Sequence, residues 1–413
     1  MTTVSPATKA SDTSTELLIV GGGMAAERLL GKLAKGKYGG RVTLVSAEPH
    51  AGYNRVLLPD LLCGRCKLED LEGNSTAMAR ALSYQQILGA RVTELDLAKK
   101  RARCSNGATI AWDTLVLATG SSAAMPNALT IDCNRITPLR TLADVEHIEQ
   151  LPKDVKRIAV VGGGLLGLEA AHALHLLRYS VTVVHRHKAL MNRQLEENTA
   201  ALLQTTLEDK GLSFRTGVEV ESVDASRDEV SCLQLSDGSV LDAEVIVVAT
   251  GNRPNIELAA TQDIACDHGV LINDRLQTSS NNVFAIGECA QLAGKVHAFV
   301  EPVYAQADAL ADQLLGNARP VSLPSPSARL KVAGVELFCA GSATVTTDQQ
   351  SLVLSDPGKG VYRRLTFLGN ELKSAILLGN TQGSQAILRA MGATLPDPQE
   401  REQLVFGAQP THA

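Results

Sequence analysis

Two glycine-rich turns of the same design constrain this chain more than any other feature. Each follows a run of β-forming residues (17–20 and 158–161) and precedes a helical pattern. Their spacing, Gly-x-Gly-x-x-Gly/Ala, is typical of dinucleotide sites: the glycines allow a tight turn, a close approach to pyrophosphate and close helix–strand packing. The positions are Gly21, Gly23 and Ala26 in the first turn and Gly162, Gly164 and Gly167 in the second. A lone match also occurs in turns that bind nothing.

The repetition extends well beyond the turns and favours the ligand-binding interpretation. In both copies a helical segment is followed by a second strand and a hairpin pattern, and the copy ends in Ala-Thr-Gly. The hairpins are marked by Asn106-Gly107 and Asp237-Gly238, because these residues tolerate positive φ. Two dinucleotides in one chain suggest electron transfer between a flavin and a nicotinamide in contact. The paired segments are 25–35 with 165–177, 42–45 with 181–184, and 118–120 with 249–251.

A further strand and turn at residues 282–288 has no counterpart in the second copy, so the second unit is predicted to be inserted into the first. The predicted fold class is α/β: two nested Rossmann-like, glutathione-reductase-like domains and a small C-terminal α+β domain. The predicted strands of that last domain are 330–335, 361–367 and 374–378, and its helix is 382–391. The boundaries are a disordered leader at 1–15, an FAD-binding domain at 16–124 and 251–319, an NAD(P)H-binding domain at 125–250, and the C-terminal domain at 325–413.

Composition excludes several classes of function. A net charge of −5 and 3% aromatic residues argue against a nucleic-acid partner. No apolar run approaches membrane-spanning length, and the N-terminus lacks the apolar core of a signal peptide. The eight cysteines are scattered without a disulfide framework, which indicates a reducing, cytoplasmic location.

Several stretches outside the glycine turns carry a resemblance to a known family. They are residues 48–58, 190–195, 140–144, 251–255 and 287–290. The chain resembles the flavin-dependent, pyridine-nucleotide-linked reductases related to glutathione reductase. Within them it is most similar to the branch that contains the diaphorase part of NAD(P)H nitrite reductases and the electron-transfer subunits of bacterial assimilatory nitrate reductases. The resemblance implies FAD and NADH or NADPH as cofactors. The implied partner is a separate, metal-containing nitrate or nitrite reductase catalytic subunit, because the chain stops at Ala413; a homodimer is also expected.

The resemblance and the first turn together predict an FAD site. Glu48 follows the second strand, where a carboxylate bonds the adenosine ribose, although a solvated surface glutamate is the alternative. Arg55 is expected near the isoalloxazine or in a structural ion pair; Asp60 stands where related ferredoxin reductases carry a lysine. Val92 is expected near the adenine through its backbone, and Glu288 near a ribityl hydroxyl. The predicted FAD residues are Gly21, Gly23, Met24, Ala25, Ala26, Glu48, Arg55, Val92, Ala118, Thr119, Gly120, Gly287 and Glu288.

The second turn predicts the nicotinamide dinucleotide site. Glu169 resembles the family glutamate beside the nicotinamide, and an acid favoured by the helix dipole is the alternative. A basic cluster at residues 185–188 replaces the acidic residue typical of NAD selectivity and could accept a 2′-phosphate. The branch includes NADH users with the same histidine, so NADH and NADPH both stay open. The predicted residues are Gly162, Gly164, Leu165, Gly167, Glu169, His185, Arg186 and Gly251.

Cys63 and Cys66 form a Cys-x-x-Cys spacing after the second strand. Two ordinary thiols, a redox pair beside the flavin and two ligands of a metal site are the alternatives, and the first is favoured. No catalytic side chain is required, because hydride transfer is the cofactor's own chemistry. The leading function is an FAD-dependent NAD(P)H:acceptor oxidoreductase that serves nitrate or nitrite reduction. A rubredoxin or ferredoxin reductase and a flavin-binding redox sensor without turnover are the alternatives.

Overall fold

A computed structural model describes residues 15–50, 52–73 and 81–407. The leader predicted at residues 1–15 therefore lies almost entirely outside the described residues. The predicted fold class is confirmed: two parallel sheets of Rossmann type are followed by an antiparallel sheet with two helices.

The first parallel sheet is built from both ends of the nested arrangement. Its five strands are all parallel, and in spatial order they are Val283–Ala285, Thr114–Leu117, Glu16–Val20, Arg41–Val45 and Ser83–Ile87. Helices Met24–Lys35 and Val300–Leu314 cover one face with their buried leucines and alanines. The opposite face packs against a three-stranded meander of Val92–Asp96, Arg101–Cys104 and Thr109–Ala111.

The second parallel sheet repeats this plan. Its strands, in spatial order, are Ile136–Pro138, Val245–Val248, Arg157–Val161, Ser180–His185 and Ser213–Thr216. Helices Leu165–Leu176 and Glu197–Glu208 belong to this unit, and its meander is formed by Val220–Ala225, Val230–Leu235 and Val240–Asp242. The edge strand Ile136–Pro138 occupies the place that Val283–Ala285 has in the first sheet. The expectation that the third strand has no counterpart is therefore wrong in space, because the counterpart precedes the second turn in the chain.

A short antiparallel ribbon marks the two places where the chain crosses between the sheets. Ser121–Ala123 leaves the first unit, Asn252–Pro254 returns to it, and the two segments pair directly. Helices Leu58–Leu62, Leu68–Leu71, Leu142–Glu149 and Glu257–Ala260 fill the connections. A small sheet of Val270–Ile272, Ala290–Leu292 and Lys295–Val296 lies in the returning part.

The C-terminal sheet is antiparallel, with the spatial order Ser327–Arg329, Leu337–Gly341, Glu371–Leu378, Val361–Leu368 and Gln349–Asp356. Helices Ser384–Ala390 and Pro398–Phe406 pack on it. The strand expected at 330–335 is wrong: Leu330, Val332 and Val335 are buried against the other units, and a turn joins Val335 N–H to the Val332 carbonyl at 3.0 Å. Strands Ser327–Arg329, Leu337–Gly341 and Gln349–Asp356 and helix Pro398–Phe406 were not predicted.

One hydrophobic core joins the three units. It includes Leu58 and Leu62 of the first unit, Leu168 of the second and Leu330 and Ile376 of the third. Among the described residues, no helix is both long and apolar enough to cross a membrane.

Candidate functional site

Equivalent glycines in the two turns make the same contacts. Gly21 N–H donates to Val45 O and Gly162 N–H to Val184 O, both at 2.8 Å. Both glycines have positive φ, +108° and +127°. A Cβ at Gly21 would lie 2.1 Å from Ala118 O, and one at Gly162 would lie 2.2 Å from Ala249 O. Only glycine fits where each turn meets the end of its neighbouring strand.

The second glycine of each turn faces open space instead. A Cβ at Gly23 or at Gly164 would have no neighbour within 4 Å. Both residues are N-caps without a side-chain hydrogen bond, so the first N–H groups of their helices have no side-chain cap. Such a start favours an anion. The residues present therefore fit a dinucleotide pyrophosphate at both turns.

The third position differs between the two turns. A Cβ at Gly167 would lie 1.8 Å from Gly162 O, whereas Ala26 is accommodated with no exposed surface. Met24 and Leu165 are the first residues of the two helices. The returning segment reaches the first turn, because a Cβ at Gly287 would lie 3.0 Å from the Ala25 Cβ.

Glu48 and Arg55 contact each other. One Glu48 oxygen pairs with Arg55 Nη2, and the other accepts from Tyr53 Oη at 2.6 Å. Arg55 Nη1 also donates to the Arg140 carbonyl at 3.1 Å. These contacts favour the ion-pair alternative for Arg55. They orient Glu48 and leave lone pairs free on its oxygens, since a carboxylate has about four acceptor sites.

Glu288 lies in a polar cluster at the domain crossing. Its Oε2 accepts from Ser121 Oγ and Arg140 Nη2, and Arg140 Nε donates to the Ser121 carbonyl at 2.8 Å. Thr119 exchanges two hydrogen bonds with Asn255, both at 2.8 Å. The side chain of Val92 is buried in the core, so only its backbone could meet an adenine. Gly120 and Gly251, both with positive φ, border open space where the chain leaves and re-enters the first unit.

Glu169 is 5% exposed on the first turns of helix Leu165–Leu176. Its Oε1 accepts from Lys331 N–H at 2.9 Å. Burial raises the pKa of Glu169 to about 7, against the opposing effect of the Lys331 N–H and charge. The carboxyl is therefore poised between its two protonation states near neutral pH.

The basic cluster divides into one buried and three exposed residues. His185 is buried, its Nδ1 accepts from Gly163 N–H at 3.1 Å, and burial lowers its pKa. It therefore supports the second turn as a neutral ring. Arg186, His187 and Lys188 are exposed beyond the strand end.

Cys63 and Cys66 are free thiols, half-buried against the shared core. Burial and nearby carboxylates raise the pKa of Cys66. Redox-pair thiols are typically acidic, so this environment favours two ordinary thiols. In the part of the chain that the structure describes, no group of three or more His, Cys, Asp or Glu side chains could hold a metal ion.

Sequence reasoning missed four residues of this region: Arg65, Arg140, His172 and Lys331. Arg140 pairs with Glu288, and Arg65 Nη2 lies 2.9 Å from His172 Nε2. Lys331 comes from the third unit and reaches the second. Arg140 lay in a stretch that carried the resemblance, but Lys331 had no signal because its partner is remote in sequence.

The family model for pyridine nucleotide-disulphide oxidoreductases matches residues 15–309. The chain belongs to this family. Residues 326–394 match the C-terminal domain of rubredoxin NAD+ reductase. The predicted resemblance is confirmed, and the chain is an oxidoreductase of the pyridine-nucleotide-dependent type.

Curated relatives agree with the predicted branch. The chain is 34% identical over 380 residues to the assimilatory nitrate reductase electron transfer subunit of Bacillus subtilis, covering 91% of this chain and 49% of that protein. It is also 34% identical over 373 residues to a nitrite reductase [NAD(P)H] of the same organism, covering 89% and 46%. The chain thus spans about half the length of these relatives.

Solved structures share the fold. Putidaredoxin reductase, in its covalent complex with putidaredoxin, has a TM-score of 0.84 at 23% identity, covering 95% of this chain and 99% of that one. A ferredoxin reductase from Rhodopseudomonas palustris has a TM-score of 0.84 at 24% identity, covering 95% and 97%.

Proposed function

We propose that this oxidoreductase binds FAD at the first glycine turn and NAD(P)H at the second, and passes electrons to a nitrate or nitrite reductase catalytic subunit. The observation that carries the proposal is the pair of equivalent turns, each with its second glycine open and an uncapped helix start. When bound, FAD accepts hydride from the nicotinamide and releases electrons to an acceptor. The relatives' names support the acceptor.

In this proposal the main predicted residues divide between the two sites. Gly21, Gly23 and the helix start hold the FAD pyrophosphate, Glu48 bonds the adenosine ribose, and Glu288 bonds the ribityl chain. Gly162, Gly164 and their helix start hold the nicotinamide dinucleotide, and Glu169 faces the nicotinamide. The domain boundaries, a homodimer and a cytoplasmic location stay predictions; the eight free thiols support the last.

A rubredoxin or ferredoxin reductase is the second candidate. It is favoured by the match of residues 326–394 to the C-terminal domain of rubredoxin NAD+ reductase. Both candidates share the FAD and nicotinamide sites and differ only in the protein that takes the electrons.

Valine substitutions at the two open glycines test the sites separately. Gly23 and Gly164 have negative φ, and a Cβ at either position would meet no atom within 4 Å, so valine is expected to be compatible with the fold and to obstruct the approach to pyrophosphate. Gly164→Val is expected to keep FAD and to weaken NAD(P)H binding about tenfold or more, equal to ~1.4 kcal/mol. Gly23→Val is expected to lose FAD. Flavin content and anaerobic titration of the flavin absorbance with NADH and NADPH measure both.

Gly39→Val is the matched control, because its Cβ position is also empty and lies away from both turns. It should behave as wild type. Denatured protein should release FAD; release of FMN, or FAD and NAD(P)H binding unchanged by both turn variants, would contradict the assignment. A yellow wild-type protein that neither nucleotide bleaches would support the redox-sensor alternative.

A further inference from the structure

A loop of the C-terminal unit, residues 330–335, donates two hydrogen bonds to the nicotinamide-side helix Leu165–Leu176. Lys331 N–H donates to Glu169 Oε1 at 2.9 Å, and Ala333 N–H donates to His172 Nε2 at 3.4 Å. The two acceptors are three residues apart and lie on one face of the helix. The loop is therefore fixed at two points to the helix that starts at the second glycine turn.

The side chain of Lys331 continues to the flavin-side unit. Its Nζ donates to the Val56 carbonyl at 3.2 Å, next to the segment that carries Arg55. The positive charge of Lys331 favours the ionised form of Glu169, whereas the negative charge of Asp60 disfavours it. One lysine thus joins all three units around a single buried carboxyl group, in a place where side chains have little freedom to rearrange.

We propose that Lys331 is a positioning residue for hydride transfer: it orients the Glu169 carboxyl group through its N–H and ties that group to the flavin-side segment at Val56 through its ammonium group. The inference rests on the proposed function, in which Glu169 faces the nicotinamide. It makes the C-terminal unit part of the nicotinamide site. A small displacement of the nicotinamide relative to its acceptor is costly, because transfer requires a near-contact geometry.

Lys331→Met tests the ammonium group alone, because methionine keeps the N–H donor and a side chain of similar length. Lys331→Arg restores a cation. Lys210→Met is the matched control: Lys210 Nζ lies beside the same loop, 2.8 Å from where a Cβ at Gly334 would be. The experiment follows anaerobic reduction of the flavin in the full-length holoprotein by stopped flow, over a range of nucleotide concentrations.

We expect Lys331→Met to lower the limiting rate of flavin reduction about tenfold and to change the apparent nucleotide dissociation constant less than about twofold. Lys331→Arg should recover most of the rate, and Lys210→Met should match wild type. If Lys331 acts through Glu169, Lys331→Met should have little further effect in a Glu169→Gln background.

A limiting rate for Lys331→Met equal to that of wild type would overturn the proposal. So would an undiminished effect of Lys331→Met in the Glu169→Gln background, because the lysine would then act independently of the carboxyl group. Wild-type flavin that NADH and NADPH both fail to reduce would instead overturn the proposed function, and this inference with it.

Discussion

Glu169 and His172 lie on one helix and have opposite pKa shifts, so their effects on stability oppose each other. Burial raises the pKa of Glu169 to about 7 from 4.5. The resulting contribution of Glu169 to the free energy of unfolding is therefore fully present below pH 4.5 and is lost as pH rises through 7. Burial and nearby Arg65, His175 and Lys210, opposed by Asp60, lower the pKa of His172 to about 4 from 6.5. The contribution of His172 to the free energy of unfolding is present above pH 6.5 and is lost as pH falls toward 4.

Because the two effects oppose each other, removing one group should reveal the effect of the other on the pH dependence of stability. Glu169→Gln leaves His172, so its melting temperature should fall about 1–2 °C more than that of wild type between pH 6.5 and 5.5. The linkage is at most ~1.4 kcal/mol per pH unit, and a chain of 413 residues has a large entropy of unfolding. His172→Gln leaves Glu169 and should show the opposite deviation. Thermal unfolding of wild type, both single variants and the double variant checks this. Identical pH profiles for all four would contradict the assignment of the shifts.

Nucleotide selectivity is also decided by single residues. Because His185 is used to support Gly163, only the exposed cations Arg186 and Lys188 remain to meet a 2′-phosphate. If they do, replacing both with alanine should weaken the binding of NADPH about tenfold or more and leave the binding of NADH nearly unchanged. The reason is that a charge-assisted contact to the 2′-phosphate contributes ~1.5–3 kcal/mol.

The matched control replaces Lys99 and Arg101, an exposed pair with the same spacing and charge on the first unit. It should leave the affinities for both nucleotides unchanged. Equal losses for NADH and NADPH in the Arg186/Lys188 variant, measured by titration of the flavin spectrum, would show that this cluster does not recognise the phosphate.

At the scale of elements, sequence predicted the parts that have strong periodic signals. Both strand–turn–helix units and both meander turns are found where the apolar runs and Asn-Gly or Asp-Gly pairs indicated. Strands Ser83–Ile87 and Gln349–Asp356 escaped because they are edge strands with largely polar, partly exposed residues. The strand predicted at 330–335 is wrong because the apolar residues of this stretch are buried between units and not in a sheet.

The site follows the same division. The glycine positions could be predicted because the motif records them: Gly21, Gly162 and Gly167 have no room for a Cβ, whereas Gly23 and Gly164 border open space. An ion pair was an open alternative for Arg55, but its partner Glu48 was not identified, because the loop between them has no regular pattern. The contact of Glu169 with Lys331 could not be predicted, because it depends on how segments distant in the chain pack. Predictions of residue roles from motifs are therefore strongest for backbone-determined contacts and weakest for side-chain partners.

At the scale of the whole molecule, the three units are joined tightly. A continuous core, the Lys331 loop and the ion pair of Arg364 with Glu196 at 3.2 Å hold the C-terminal sheet against the nicotinamide-side unit. An interface of this apolar kind restricts relative domain motion. Electron delivery is therefore expected to depend on docking of the acceptor protein more than on rearrangement within this chain.

The identity of that acceptor is the last prediction. Purified alone, the chain is expected to oxidise NAD(P)H with ferricyanide as acceptor and to leave nitrate and nitrite unreduced, because the proposed cofactors only relay electrons. Adding a molybdenum-containing nitrate reductase from the same cell should produce NAD(P)H-dependent nitrite. At a nucleotide concentration below the wild-type dissociation constant, Gly164→Val should lower this coupled activity about tenfold or more, and Gly39→Val should not. Rapid reduction of rubredoxin or ferredoxin, with no coupling to either nitrogen-oxide reductase, would establish the second candidate, because the two functions share every site except the docking surface.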